Sequence, residues 1–499
     1  MANRRGEIFR PNQEYAHRLR KILEEYPDGS QILREILQNS DDAKSRKQIF
    51  ILDNNNYPTQ KLLEPRNEGT RRTDAKLDRY QGPALLSRND TIFEERDFDS
   101  LLKLADSEKR KQFDKIGAMG MGFNSIYHLT DSPSFITGNS YVILDPHEWY
   151  YNGGIKFNFI EEAVDFPDQF APFRTFKIPF DHTFEGTFFR YPLRTSEDSI
   201  DSVISKKVYK PDDVREMFKR FYENEGINCL LFLKYIEVIE FYELEEGETE
   251  PKLLYEISLE NADEVRSKRR QIAENVVKRM ESLDPKGSNK ITPLESIYIA
   301  EFFRKNYNGE SERISWVIFN QLNETDVLDK FKGDFKEHKL VPAIGLAVRL
   351  DNQGTNGRLF CFLPLPIPTP FRASINGYFA VGTNRRTIWS SADNEDLADD
   401  SLAKLKVTWN EHLFDKVLPK AWVRFLVELP NKYPSVQPSK FYDFWPILSD
   451  HVSSSVVEFC KQLLEKVVEN LKTDDEVFIG PRASYAPGNM KGLIPTNNN

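Results

Sequence analysis

The stretch Arg34-Glu-Ile-Leu-Gln-Asn-Ser-Asp-Asp-Ala43 decides how this chain is read. Ile32, Leu33, Ile36 and Leu37 form the apolar stripe of a helical pattern over Gln31–Lys44. On that helix Glu35, Asn39 and Asp42 fall at i, i+4 and i+7, so the three share one face. A carboxylate and an amide so placed suit two tasks. The amide oxygen of Asn39 is a hard ligand of the kind Mg²⁺ accepts, and Glu35 can orient or deprotonate a water. The ordinary alternative for such a face is plain solvation. Lys47–Asp53 follows as a β-like run and ends in the turn signal Asn54-Asn55-Asn56.

Working outward, residues 14–26 read as a short helix, Pro83–Asn89 as a strand and Asp97–Lys109 as a helix. The glycine-rich turn Gly117-Ala-Met-Gly-Met-Gly-Phe-Asn-Ser125 comes next. Its Gly117, Gly120 and Gly122 let backbone approach a ligand closely, and helix N-termini hold phosphates. It is no Walker A loop, because no Gly-Lys-Ser/Thr follows, and it opens no βαβ unit. Ser140–Leu144 and Gly186–Tyr191 read as further strands. Several connections are too short for parallel crossovers, so the expectation is an α+β layered domain with a mixed or antiparallel sheet over residues 1–200.

A second α/β region is expected over 205–430. In it Asp212–Tyr222 reads as helical, Cys229–Tyr242 as a strand pair, 256–307 as charge-rich helix, and 402–428 as helix. Ile314–Phe319, Ala343–Leu350, Leu359–Leu363 and Gly377–Val381 read as strands, with Pro364, Pro366, Pro368 and Pro370 stiffening a loop between two of them. A helical segment, with Val452–Leu471 its amphipathic helix, is expected over 431–485, and disorder over 486–499.

Of the 499 residues, 39% are hydrophobic, enough for a substantial core. Lys plus Arg number 68 against 78 Asp plus Glu, a net charge of −10, which argues against a general polyanion binder and so against nucleic acid as partner. Cys229, Cys361 and Cys460 show no metal or disulfide spacing, and no run approaches a membrane span. A cytoplasmic chain without membrane association is the expectation. His147 lies in Asp-Pro-His after a strand and has no obvious nucleophile partner; His128 and His147 are both read as structural.

The order of these pieces resembles the GHKL ATPase superfamily, which includes the ninety-kilodalton heat-shock chaperones. Glu35, Asn39, Asp42 and Ala43 match its N-box helix, Gly117–Ser125 its phosphate-wrapping glycine box, and Gly186-Thr187 the strand whose Thr reaches the adenine region. Within that group the chain is most similar to the sacsin family. Gly82-Pro-Ala-Leu85 with Asn89-Asp90, Gly122–Asp131, Leu144-Asp-Pro-His147, Phe362–Pro366, Ile375–Phe379 and Asn384-Arg-Arg386 with Trp389 carry that likeness over roughly residues 10–420.

The resemblance implies a GHKL two-layer α/β sandwich followed by a middle-type domain, with ATP and Mg²⁺ as cofactors. In it Glu35 is the general base, Asn39 holds Mg²⁺, and Asp42, Ala43, Gly117, Gly120, Gly122, Phe123 and Thr187 hold nucleotide. It also implies a chaperone-like protein that works with seventy-kilodalton heat-shock chaperones or client proteins. Arg385 and Arg386 sit where the chaperones' middle domain sends an Arg to the terminal phosphate; salt bridges to the acidic 391–400 stretch are the alternative. One departure stands out. The family's Asp-Xaa-Gly-Xaa-Gly box is replaced by Arg88-Asn89-Asp90-Thr91-Ile92-Phe93, so Arg88, Asn89 or Asp90 takes the place of the adenine-binding Asp. The stretch Lys103–Lys115 occupies the expected lid. A nucleotide-sensing module without turnover is the competing reading; DNA-processing and histidine-kinase readings find no basic stripe and no phospho-acceptor hairpin.

Overall fold

The computed structural model describes residues 15–25, 29–64, 77–102, 122–174, 176–282, 293–323, 338, 340–351, 356–382, 385–391, 402–433, 444–446, 456–460, 462–471, 477–478 and 484–485. Their architecture is α+β. A single mixed sheet of fourteen strands runs through the molecule in the order β13-β12-β14-β11-β10-β9-β8-β7-β1-β2-β6-β3-β4-β5. The strands are β1 Lys47–Asp53, β2 Ala84–Asn89, β3 Ser134–Gly138, β4 Ser140–Asp145, β5 Gly153–Asn158, β6 Phe184–Pro192, β7 Val238–Leu244, β8 Lys252–Leu259, β9 Leu294–Asn306, β10 Ser311–Leu322, β11 Ala343–Arg349, β12 Arg358–Cys361, β13 Leu363–Pro368 and β14 Ser374–Gly377. Pairing is antiparallel except for β1 with β7 and β12 with β14.

Period-two alternation sorts the side chains between two faces. From β1, Phe50 and Leu52 join a core under the helices Tyr15–Glu25, Ser30–Asp42 and Pro211–Asn224, while Ile51 joins a second core on the opposite face. Leu85 against Ala84 and Leu86, and Phe189 against Phe188, divide in the same way. The opposite face is covered by Trp149–Tyr151 and by the segments that carry Phe159, Phe170 and Phe173. This sheet is buried on both sides, which is why β1 reads as a nearly unbroken apolar run. The core under the first helices continues past β7 into the later strands, where Phe232 meets Phe360 edge-on at 5.0 Å. A third core joins β9–β14 to the helices Leu418–Lys432 and Leu463–Asn470.

Several expected elements take another form. Cys229–Tyr242 is not a strand pair: a short helix, Gly226–Leu230, precedes β7, and the N–H groups of Lys234, Tyr235 and Ile236 go to the Asp41 carboxylate instead of to a strand. The helix expected over 256–307 is confined to Ala262–Ser282. Residues 294–306 form β9, whose Tyr298, Ala300 and Phe302 face one core and Ile297 another. The proline-rich loop is the edge strand β13, a place where a missing N–H costs no ladder bond. The strand expected at Gly377–Val381 ends at Gly377; β3 and β5 were not foreseen from the pattern.

Beside the 3₁₀ turn Gly122–His128 lies a fully buried ion pair. Arg194 donates through Nε and Nη2 to Asp131 at 2.8 and 2.9 Å, and also to the carbonyls of Tyr127, His128, Thr130 and Lys207. Asp131 takes a further bond from Ser202 at 2.7 Å. Removing one partner of such a pair strands the other charge. Arg194→Met is therefore expected to cost about 3–5 kcal/mol of unfolding free energy in urea titrations; a loss under about 1 kcal/mol would contradict this account.

Candidate functional site

Helix Ser30–Asp42 is buried almost all round. Besides its apolar stripe, Glu35, Gln38, Ser40, Asp41 and Asp42 are all buried, and Asn39 is half-buried. This excludes the plain solvated face as the reading of the motif. Buried polar groups need partners, and several of those partners come from distant parts of the chain. Ser30 donates to Glu225 at 2.6 Å, and Arg34 pairs with the same carboxylate and donates to the Pro364 carbonyl at 3.3 Å. Ser40 donates to Gln48 at 2.6 Å.

Glu35 is the centre of the arrangement. It is 3% exposed, accepts from Gln31 Nε2 at 2.8 Å and lies 3.7 Å from Arg385 Nε. Gly122 packs directly against it: a Cβ there would fall 2.0 Å from Glu35 Oε2. The last glycine of the glycine-rich turn is thus glycine for a steric reason, and it joins the two motifs read from sequence. It opens the 3₁₀ turn Gly122–His128, in which Phe123 packs at a tilt against Phe189, ring centroids 5.9 Å apart. Gly117, Gly120 and the stretch Lys103–Lys115 lie outside the described residues.

Arg385 arrives from a tight turn in the second half of the chain, closed by the Val381–Ile388 bridge and by Arg385 N to Gly382 O at 3.0 Å. Its backbone is left-handed, φ 54°, a conformation that costs a non-glycine residue about 1–2 kcal/mol. The turn aims the guanidinium inward, onto Gln38 and Glu35. Arg386 points outward and is exposed. The adjacent arginines are therefore not equivalent, and only Arg385 reaches the helix. Of the acidic stretch 391–400, all but the first residue lies outside the described residues.

The replaced Asp-Xaa-Gly-Xaa-Gly segment also resolves by orientation. Arg88 faces the opposite side of the sheet, over the Phe184 ring at 5.3 Å. Asp90 is exposed and caps the start of β1, accepting from Ser45 and from Arg46 N at 2.9 Å. Asn89 alone turns toward helix Ser30–Asp42, donating to Ser40 Oγ at 3.1 Å. Its Oδ1 accepts from both the N–H and the hydroxyl of Thr91, at 3.1 and 2.9 Å, which uses both lone pairs. Thr187 completes the chain: it donates to Thr91 O at 2.7 Å and sits 2.8 Å from Thr137 Oγ1, which accepts from Phe93 N at 3.0 Å. Gly186 permits this approach, since a Cβ there would lie 2.7 Å from the Asn89 carbonyl. Beside the network, Phe93, Phe98, Phe135 and Phe189 pack ring to ring at 4.7–6.3 Å.

Among the other sequence candidates, Asp42 is buried at the C-terminal end of its helix and Ala43 forms the C-cap, its N–H bonded to Asn39 O at 3.0 Å. No protein group among the described residues bonds the Asn39 side-chain amide. His147 accepts from Val203 N at 3.0 Å and stacks on Trp149 at 4.1 Å, a packing role. Sequence reasoning missed Gln38, Ser40, Asp41, Thr91 and Thr137. Of these, Gln38, Ser40 and Asp41 carried one signal, since they are polar residues inside a helix whose other faces are also needed.

Comparison with known proteins places this geometry in context. Residues 12–256 match the family model described as the Sacsin domain. The chain is 29% identical over 462 residues to sacsin from Homo sapiens, an alignment covering 86% of this chain and 10% of that protein. It thus spans about a tenth of the length of the curated relative it matches. No helix among the described residues is long and apolar enough to cross a membrane.

Thr187→Val keeps the shape but leaves the Thr91 carbonyl without its donor and the Thr137 O–H without its acceptor, while Thr137 Oγ1 still accepts from Phe93 N. A loss of about 1–3 kcal/mol is expected in urea unfolding; a change within about 0.5 kcal/mol would remove the network from the account.

Proposed function

Starting from a chain whose first half matches the Sacsin domain, we propose that residues 1–200, completed by β7, form a GHKL-type nucleotide-binding unit and that the 205–430 region acts as its middle-type domain. The observation that carries this reading is the convergence on Glu35 of Gly122 from the glycine-rich turn and Arg385 from the second half. Three motifs distant in sequence meet at one buried carboxylate, which brings together a candidate base, a glycine backbone and a cation, groups of the kind phosphoryl chemistry uses.

The residues present fit ATP with Mg²⁺. The amide of Asn39 has no protein hydrogen bond among the described residues, and a single side-chain oxygen plus phosphate oxygens and waters is an ordinary Mg²⁺ set. The metal would supply charge neutralisation at the phosphates. Glu35, held by Gln31, orients a water and accepts its proton. Arg385 places a fixed positive charge where negative charge develops on the terminal phosphate. Gly122 gives backbone access beside both. Asp42 and Thr187 border the base-binding side.

On this reading the protein is an ATP-binding, chaperone-like relative of sacsin in the cytoplasm. Seventy-kilodalton heat-shock chaperones or their clients are the partners the family resemblance suggests. One observation favours a second reading, a nucleotide-sensing module without turnover. Asn89, the residue standing in for the adenine-binding Asp, has its carbonyl oxygen fully engaged by Thr91, and four phenylalanines fill space nearby. Adenine would then gain little from that position.

Calorimetric titration of the protein with ATP and Mg²⁺, with Asn39→Ala alongside, tests the proposal. Binding that weakens at least 10-fold in Asn39→Ala is expected. In a turnover assay, Glu35→Ala is expected to lower kcat by about 10²–10⁴-fold. Arg385→Ala should lower it by about 10²–10³-fold, with Arg386→Ala near wild type. No binding at millimolar ATP would overturn the nucleotide site; binding without turnover would establish the sensing module.

A further inference from the structure

A cleft far along the sheet from β5 opens between helix Ala262–Ser282, the segment Phe232–Lys234 and the ends of β10, β11 and β14. It encloses about 570 Å³ of empty space, much of it at its solvent-open mouth, and is lined by more apolar than polar surface. Three observations set it apart from ordinary packing.

The first is Arg269, which lines the cleft and is 4% exposed. Its terminal nitrogens bond the carbonyls of Leu230 at 2.8 Å and Ile236 at 3.5 Å, and among the described residues no carboxylate pairs with it. Its Nε has no partner. A buried guanidinium with no counter-ion and an idle donor is costly. The second is Gln321, which also lines the cleft, is 2% exposed, and has a side-chain carbonyl without a hydrogen-bond donor. The third is Gly345, inside β11. A Cβ there would fall 2.7 Å from Asn320 Oδ1 and 2.9 Å from the Phe232 ring, so glycine keeps this wall closely packed. Lys234, 4.8 Å above the Phe362 ring, adds a second positive charge at the margin.

We propose that this cleft binds a small amphipathic carboxylate: an acid group for Arg269, an apolar body against Phe232, Ile272 and Val276, and a hydroxyl or amino donor for Gln321. The site is separate from Glu35 and does not rest on the nucleotide reading. The two carbonyls offset part of the cost of burying Arg269; a carboxylate would offset the charge that remains, and an apolar body would suit the rest of the lining.

The full chain is titrated with 4-hydroxybenzoate by calorimetry and by thermal unfolding, with 4-hydroxybenzamide and inorganic phosphate as comparisons. Saturable binding of 4-hydroxybenzoate with a rise in Tm is expected, at least 10-fold tighter than either comparison. It should be lost in Arg269→Gln and in Ala273→Leu, the latter filling the cleft from a half-exposed helical position that tolerates leucine. It should persist in Asn39→Ala. No saturable binding of 4-hydroxybenzoate would overturn the proposal, as would equal binding of phosphate or full retention in Ala273→Leu.

Discussion

The carboxylate of Asp41 receives three successive backbone N–H groups, from Lys234 at 3.2 Å, Tyr235 at 2.7 Å and Ile236 at 3.0 Å. Burial pushes this carboxyl's pKa up, and the three donors pull against that shift. The contact fixes helix Ser30–Asp42 to the segment that leads into β7, and β7 pairs in parallel with β1 immediately after the same helix. Helix, strand and linker are thereby held as one unit. Every other placement at the site follows from it: Glu35 can meet Gly122 on one side and Arg385 on another only because the helix is fixed in both rotation and depth.

The same helix explains how a far part of the chain contributes to a local motif. Phe362 and Leu363 share the core of the first helices, and Pro364 O accepts from Arg34. The sheet is continuous across β7, β8 and β9, so the second half is attached by strand pairing and not by a tether. A turn carrying Arg385 can be held at a strained φ because the surrounding contacts over-determine it.

Much of this was legible in the sequence, and the reasons are specific. The helix expected over 31–44 is readable because its apolar period is clean, and β1 because its nearly unbroken apolar run ends in a turn signal. The three-part motif pointed to one site because its order is distinctive. What stayed hidden depends on long-range contact. Nothing local distinguishes Arg385 from Arg386, or tells that Asn89 rather than Arg88 or Asp90 turns to the helix; strand register decides the latter, whereas the loss of the Asn89 carbonyl to Thr91 is a local i, i+2 contact. β9 was misread as helix because Glu295, Glu301, Arg304 and Lys305 give it a charged, helix-like composition, though two of those charges pair across to neighbours, Glu295 with Arg424 and Arg304 with Glu312. β13 was misread because proline excludes a strand from a sheet interior but not from its edge.

The proposed seat of a nucleotide is helix Ser30–Asp42 together with the 3₁₀ turn Gly122–His128. Hydrogen exchange of the whole chain with and without ATP and Mg²⁺ tests it most directly. The account predicts slower exchange on nucleotide addition at residues 30–43 and 117–128, together with the 381–388 turn, and no such change in Asn39→Ala. Exchange unchanged at all three segments under saturating millimolar nucleotide would contradict it.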